Sequence, residues 1–157
     1  MGSGKTYLGK KWAAITGLKY FDIDDIVEEE QGKTISKIFE EDGEDKFRDL
    51  ESIVLKSFAG KDNVIVATGG GTPCFKDNMK WMNENGISVY LKASPEIILN
   101  RLTSEKEKRP LIKHLDDNEL LFYITQKIKE RELCYLQANE IVNVDDLDED
   151  FVPEFLR

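Results

Sequence analysis

Met1-Gly2-Ser3-Gly4-Lys5-Thr6 opens the chain, and Gly4-Lys5-Thr6 is the tail of the phosphate-binding pattern G-x-x-x-x-G-K-[ST]. The residue types follow from the task. Glycines let consecutive backbone N–H groups curl around an anion with no Cβ in the way. A helix that starts directly afterwards aims its positive N-terminal end at the same phosphates. In this reading Gly2, Ser3 and Gly4 offer backbone, Lys5 reaches the outer phosphates, and the Thr6 hydroxyl ligates Mg²⁺. The first glycine of the pattern would fall two residues ahead of Met1, so the match is partial. A flexible Gly-Ser-Gly terminus uses the same letters. The rest of the chain has to decide.

Working outward, the spacing predicts a helix from Gly4 to about Thr16, with Leu8, Trp12 and Ile15 near one face and Gly17 ending it. Leu18 to Asp22 reads as a short strand with a carboxylate at its end. Helical patterns follow at Ile26–Glu30, from Thr34 (apolar face Ile35, Ile38 and Phe39), and at Glu44–Phe58, with Gly32 and Gly43 as breaks. Asn63 to Thr68 is a β-branched run of the kind buried on both faces of a parallel sheet, and it runs into Gly69-Gly70-Gly71. A helix from Pro73 to about Asn83, a strand at Ile87–Leu91 and a helix opened by Ser94-Pro95 come next. Residues 103–117 are polar and charged and read as an exposed mobile loop. A long helix from Asn118 to about Tyr135, a strand at Glu140–Val144 and a short helix around Phe151–Leu156 complete the chain. Alternating strands and helices predict an α/β protein with a parallel sheet.

Length and charge narrow the classes. At 157 residues one domain is expected. Asp and Glu outnumber Lys and Arg by 31 to 22, a net charge of −9, which argues against a general binder of nucleic acid or membrane surfaces, both polyanions. A phosphorylated small molecule needs only a few placed cations and stays open. No apolar run approaches the roughly 18 residues of a membrane span. Cys74 and Cys134 have no metal-ligand spacing, so reduced thiols in a cytoplasmic protein, acting as small packing residues, are the expectation. His114, the single histidine, reads as an exposed loop residue.

Several side chains could carry chemistry. Asp22 and Asp24 sit at the carboxyl end of a strand, where open α/β sheets bind ligands. One could serve Mg²⁺ through water and the other a substrate hydroxyl; helix capping explains the same acids equally well. Three glycines in a row after a buried strand point to close approach of a ligand to the backbone rather than a plain turn. Arg48, between Glu44 and Glu51, and Arg131, between Glu130 and Glu132, read by themselves as solvated ion-pair faces.

In order along the chain, these residues resemble the shikimate kinases, small P-loop proteins of the nucleoside-monophosphate-kinase-like group. The resemblance runs from Met1 to about Val144. It comprises Met1-Gly2-Ser3-Gly4-Lys5-Thr6, Asp22-Ile23-Asp24, the set Ile35, Ile38-Phe39, Gly43-Glu44, Phe47-Arg48 and Glu51, then Gly69-Gly70-Gly71, Arg109-Pro110-Leu111, and Arg131 to Tyr135. It implies a single three-layer αβα P-loop kinase domain over 1–157, with a substrate-binding helical region at about 24–58 and a lid at about 103–117. The implied activity is ATP-dependent phosphorylation of the shikimate 3-hydroxyl, with Mg²⁺, in a cytoplasmic protein that works as a monomer. Asp24 would hold the attacking hydroxyl and serve as its base. Arg48 and Arg131 would bind the substrate carboxylate, overturning the reading of each as a solvated face, and Gly70 and Gly71 would meet ring hydroxyls. Asp22 would hold Mg²⁺ through water with Thr6 as direct ligand, while Lys5 and Arg109 would offset charge on the phosphoryl group and Arg109 would also contact ATP.

Two departures follow from the same resemblance. Tyr7 stands where a second small hydroxyl residue is usual. The family strand order 2-3-1-4-5 places its first strand at the centre, and residues 1–157 lack that strand. A chain of this kind should carry further residues ahead of Met1, or a separate strand, in the central slot; an intact five-stranded sheet from 1–157 alone would contradict this. Competing readings are a related P-loop kinase, such as one for gluconate or a nucleoside monophosphate, and a non-catalytic nucleotide-binding domain inactivated by loss of the strand.

Overall fold

The computed structural model describes residues 2–104, 112, 114–148 and 150–157. Helix α1 (Lys5–Thr16) starts at Gly4 and stops at Gly17, whose N–H donates to the Ala13 carbonyl. Strand β1 (Lys19–Asp22) leads straight into α2 (Ile23–Gln31), because the Asp22 carboxylate accepts the Asp24 N–H and caps the helix. Thr34 caps α3 (Ile35–Lys56), which is interrupted at Gly43, where φ 83° and ψ 169° leave the helical region. Strand β2 (Val64–Ala67) follows, then a single 3₁₀ turn at Thr72–Cys74 and helix α4 (Asn78–Asn85). Strand β3 (Val89–Lys92) and helix α5 (Pro95–Thr103) are joined by Ser94, which caps the Ile97 N–H. Helix α6 (Asp117–Tyr135) opens on a reciprocal capping box between Asp116 and Glu119, and strand β4 (Glu140–Asn143) precedes a last 3₁₀ turn at Glu154–Leu156.

All strand pairing is parallel, and it occurs in two separate pairs. β1 pairs with β2 from Lys19↔Val64 to Asp22↔Ala67, and β3 with β4 from Val89↔Glu140 to Lys92↔Asn143. Each pair has its own apolar core. Ile23, Val27, Ile38, Phe47, Leu50, Val54 and Leu55 form the one beneath β1–β2, with Val64 and Val66 packed on it. Leu91, Ile98, Leu102, Leu120, Ile124 and Val142 form the one around β3–β4, together with Trp12 of α1, and Ile65 packs on that side. Alternate β2 residues therefore face opposite layers, as the pleat requires. Helices cover both faces of a parallel sheet, in agreement with the expected α/β class.

The sheet is interrupted between β2 and β3. Val64 to Thr68 of one pair and Ile87, Ser88, Val89 and Leu91 of the other line a single cavity of about 290 Å³, closed by Trp12, Met82 and Leu156. Among the described residues no strand lies between β2 and β3. Their facing edges carry backbone groups that make no inter-strand bond, a cost of the order of 1 kcal/mol or more per buried group.

Some local expectations change. The helix expected from Pro73 is a 3₁₀ turn followed by α4, because Pro73 begins a turn whose bonds close at Phe75 and Asn78. The apolar spacing of α1 places Ile15 inward, yet it is 55 % exposed. In the stretch expected as an exposed loop, Ile112 is fully buried in the β3–β4 core, so a charged segment still anchors itself through one apolar side chain. Cys74 is exposed rather than a packing residue, while Cys134 is half-buried.

Candidate active site

The phosphate-binding letters fold as their chemistry requires. Gly4 takes φ +93°, a left-handed conformation that glycine adopts without strain, and α1 begins at Lys5 with no side chain capping its first N–H groups. Those donors, with the positive end of the helix, form an anion site. Arg101 of α5 donates through Nη1 to the carbonyls of Gly2 (3.3 Å) and Ser3 (3.0 Å), turning the loop's carbonyls away from the side where its N–H groups bind. The sequence alone did not single out Arg101, since nothing local links it to a loop at the other end of the chain.

Asp22 and Asp24 stand at the C-terminal end of β1. Asp22 caps α2 and also accepts the Tyr20 hydroxyl at 3.1 Å, so capping and site placement are both realised in one residue. Burial and the Asp22 charge push the Tyr20 hydroxyl up to about 12, with Thr6 beside it working the other way. Thr6 and Asp22 thus meet around Tyr20 and present two hard oxygen ligands. Magnesium ordinarily takes one or two protein oxygens and keeps its waters, so this pair fits it. Asp24 differs. Burial raises its carboxyl to about 6, the Asp22 and Glu51 charges add to this, and Lys5 and Arg48 oppose it. Its Oδ1 is buried and accepts no hydrogen bond among the described residues.

Beside Asp24 lies the cationic part of the site. The Arg48 guanidinium donates from Nη1 to Glu51 Oε2 at 2.6 Å and from Nη2 to Glu44 Oε1 at 3.0 Å. Glu51 is fully buried and Glu44 exposed, so this is not the solvated face that the spacing allowed. Burial disfavours the Arg48 charge, yet its pKa is raised because both carboxylates outweigh that penalty. Gly71 is glycine because a Cβ there would come within 2.5–2.6 Å of the Arg48 guanidinium, which lies flat against the backbone. At Gly69 a Cβ would run into the Glu51 carboxylate. Two of the three glycines therefore answer to protein side chains that line the site, not to a ligand directly. The third, Gly70, accepts the Tyr135 hydroxyl through its carbonyl at 2.6 Å.

Arg131 sits on α6 one turn before Tyr135, whose hydroxyl it approaches, and lines one cavity with Lys5, Gly69, Gly70 and Tyr135. Its sequence neighbours bond elsewhere, Glu130 with Lys127 and Glu132 with Lys92. Burial and the adjacent Cys134 push the Cys74 thiol up to about 12, with the Arg131 and Arg48 charges working the other way. The structure thus brings Lys5, Gly69, Gly70 and Arg131 around one hollow, with Asp24 against Gly69 and Arg48 against Gly71 on the same glycine turn. Arg109, with Pro110 and Leu111, lies outside the described residues. His114 is exposed, as expected.

A parallel α/β sheet with a glycine-lysine-threonine loop at a helix start, two strand-end aspartates and two arginines on a glycine turn defines a P-loop phosphotransferase of small molecules. The comparisons make this specific. The family model described as "Shikimate kinase" matches residues 1–157. The shikimate kinase of Bacteroides thetaiotaomicron is 41% identical over 149 residues, covering 95% of this chain and 85% of that protein; its crystal structure superposes with a TM-score of 0.90 over 96% of this chain and 85% of that one. The shikimate kinase of Acinetobacter baumannii, solved in complex with shikimate, is 31% identical with a TM-score of 0.81, covering 94% of this chain and 80% of that one. The chain belongs to the shikimate kinase family.

Proposed function

We propose that the protein transfers the γ-phosphoryl group of ATP to the 3-hydroxyl of shikimate, giving shikimate 3-phosphate and ADP. The observation that carries the reading is the placement of two arginines on the Gly69–Gly71 turn beside a buried carboxylate with an unused acceptor atom. Shikimate is a compact ring with one carboxylate and several hydroxyls. Arg48 and Arg131 supply planar donor forks for the carboxylate. Backbone groups of Gly70 and Gly71 meet ring hydroxyls. Asp24 Oδ1 accepts the 3-hydroxyl and takes its proton as the phosphoryl group arrives. A carboxyl near 6 is ionised at neutral pH and still basic enough to hold that proton transiently.

Lys5 and the N–H groups of Gly2 to Thr6 bind the phosphates, and Lys5 follows the charge that shifts onto the bridging oxygens. Thr6 would be the direct protein ligand for Mg²⁺, and Asp22 would hold it through water. The ion, when bound with ATP, neutralises part of the triphosphate charge. The family resemblance supports a lid at residues 103–117 that would keep water out, with Arg109 contacting the nucleotide. No helix among the described residues is long and apolar enough to cross a membrane. The acidic net charge of −9 supports a protein that engages neither nucleic acid nor membrane surfaces, both polyanions, and the family resemblance supports a monomeric cytoplasmic enzyme.

A coupled ADP-release assay with Mg-ATP tests the reading. Turnover should appear only when shikimate is added. Equal rates with and without shikimate would overturn it. Turnover elicited instead by gluconate or a nucleoside monophosphate would support a related kinase, and nucleotide binding without turnover a non-catalytic domain.

A further inference from the structure

We propose that Thr72 is a positioning residue for the substrate clamp: its hydroxyl fixes the Glu51 carboxylate, and through it the orientation of the Arg48 guanidinium. The inference rests on the reading of Arg48 as the group that meets the substrate carboxylate.

Glu51 and Thr72 are both fully buried. Glu51 has two carboxylate oxygens, and each has a different partner. Oε2 accepts from Arg48 Nη1 at 2.6 Å, and Oε1 accepts the Thr72 hydroxyl at 2.5 Å. An ionised carboxylate only accepts, so the Thr72 hydroxyl must donate. A glutamate held by one oxygen can still rotate about its last torsion; held by both, its plane is set. That plane sets the angle at which Arg48 lies on Gly71. The other partner of Arg48, Glu44, is 63% exposed and cannot hold the fork as firmly.

Thr72 is itself held. Its carbonyl accepts from Asn78 Nδ2 at 2.8 Å, and the same amide nitrogen donates to Ser52 Oγ, also at 2.8 Å. Ser52 and Asn78 are buried, and Ser52 directly follows Glu51 on α3. The bonds close a ring from Glu51 through Thr72, Asn78 and Ser52 back to α3. This ring locks the turn at Thr72–Cys74 and the start of α4 against the helix that carries Arg48. A ring of this kind could serve stability alone, so the experiment must separate the two roles.

The test compares Thr72→Val, which keeps the shape and removes the donor, with Thr72→Ser, which keeps the donor. Steady-state constants for shikimate and ATP are measured alongside the NMR order parameter of the Arg48 Nε–H. In T72V the shikimate KM should rise about tenfold, the effect of one lost charge-assisted bond, while the ATP KM stays within about twofold. The Arg48 order parameter should drop towards the flexible range, below about 0.6, and T72S should restore both. Wild-type shikimate KM with a rigid Arg48 in T72V would overturn the proposal, as would equal losses in T72V and T72S, which would mean that shape matters and the hydroxyl does not. Should T72V fail to fold, Thr72→Ala takes its place under the same criteria. Absence of shikimate turnover in the wild-type protein would sink the functional reading instead, and the Arg48 order parameter would then decide the role of Thr72 by itself.

Discussion

The half of the molecule built on β1 and β2 holds its functional groups by a different means from the half built on β3 and β4. In the first, Asp22, Arg48 and Glu51 are placed by buried or half-buried charge-assisted bonds over a core that the half supplies itself. In the second, the contribution is mostly apolar. Ile98 and Leu102 of α5 support Gly2, and α6 carries Arg131 towards the glycine turn. The phosphate loop spans the two, since α1 packs on the β1–β2 pair while Gly2 rests on α5. The placement of the Arg48 guanidinium is therefore largely an internal property of one half. Phosphate placement depends on how the halves stand across the cavity between β2 and β3.

The strongest way to break this comparison is to fill that cavity. An extended segment of about five β-branched residues joined ahead of Met1 should pair with the open edges of β2 and β3. At about 1 kcal/mol net per backbone bond, the gain should be about 4 kcal/mol or more, with Tm raised by about 10 °C. Urea unfolding measures it. The ATP KM should fall by more than the shikimate KM does. If neither stability nor ATP affinity changes, the two halves already meet in solution and the comparison fails.

A smaller effect sharpens the account of the β1–β2 half. The folded-state value of Asp24, about 6, lies above the ordinary 3.8. The folded protein therefore binds this proton more tightly than the unfolded chain does, and ionising Asp24 opposes folding. Its contribution to stability is full below pH 4 and declines as pH rises to about 6, with no further change above that. Asp24→Asn should consequently stabilise the protein at pH 7 by about 3 kcal/mol, at the cost of turnover. In the unaltered protein kcat/KM for shikimate should fall with decreasing pH below about 6. Urea midpoints for D24N at pH 4 and pH 7 give the check: a gain that is equal at both would mean that Asp24 is not held under electrostatic strain.

The sequence was most legible where function is local. Gly4-Lys5-Thr6, Asp22-Ile23-Asp24 and the triple glycine each place their chemistry within a few residues, and period and turn letters give the strands and most helices. It was least legible where a side chain finds a distant partner. Gly69 and Gly71 announced a close approach, but only the fold shows that Glu51 and Arg48 are what approaches. Thr72 carries no signal in the sequence, and only the fold shows its hydroxyl on Glu51. The Tyr135 hydroxyl is bonded to Gly70, a contact between the turn after β2 and helix α6 that no periodicity encodes. The burial of Ile112 inside a charged stretch has the same cause: one apolar residue outweighs its neighbours when a core lies within reach.

Arg101 offers the finest probe of the seam between the halves. Its guanidinium crosses from α5 to the Gly2 and Ser3 carbonyls, and both bonds are exposed to water. Exposed bonds of this kind are worth about 1 kcal/mol together. Arg101→Met keeps most of the aliphatic stem and removes the donors, so the loop should lose orientation without losing its seat on Ile98 and Leu102. The ATP KM should rise about fivefold, with kcat lowered to a similar degree and the shikimate KM unmoved. An equal rise in both KM values would show that the substrate clamp senses the phosphate loop through the closed hollow, making the two halves one coupled site. A rise in neither would mean that the helix dipole and the backbone of Gly4 hold the loop by themselves.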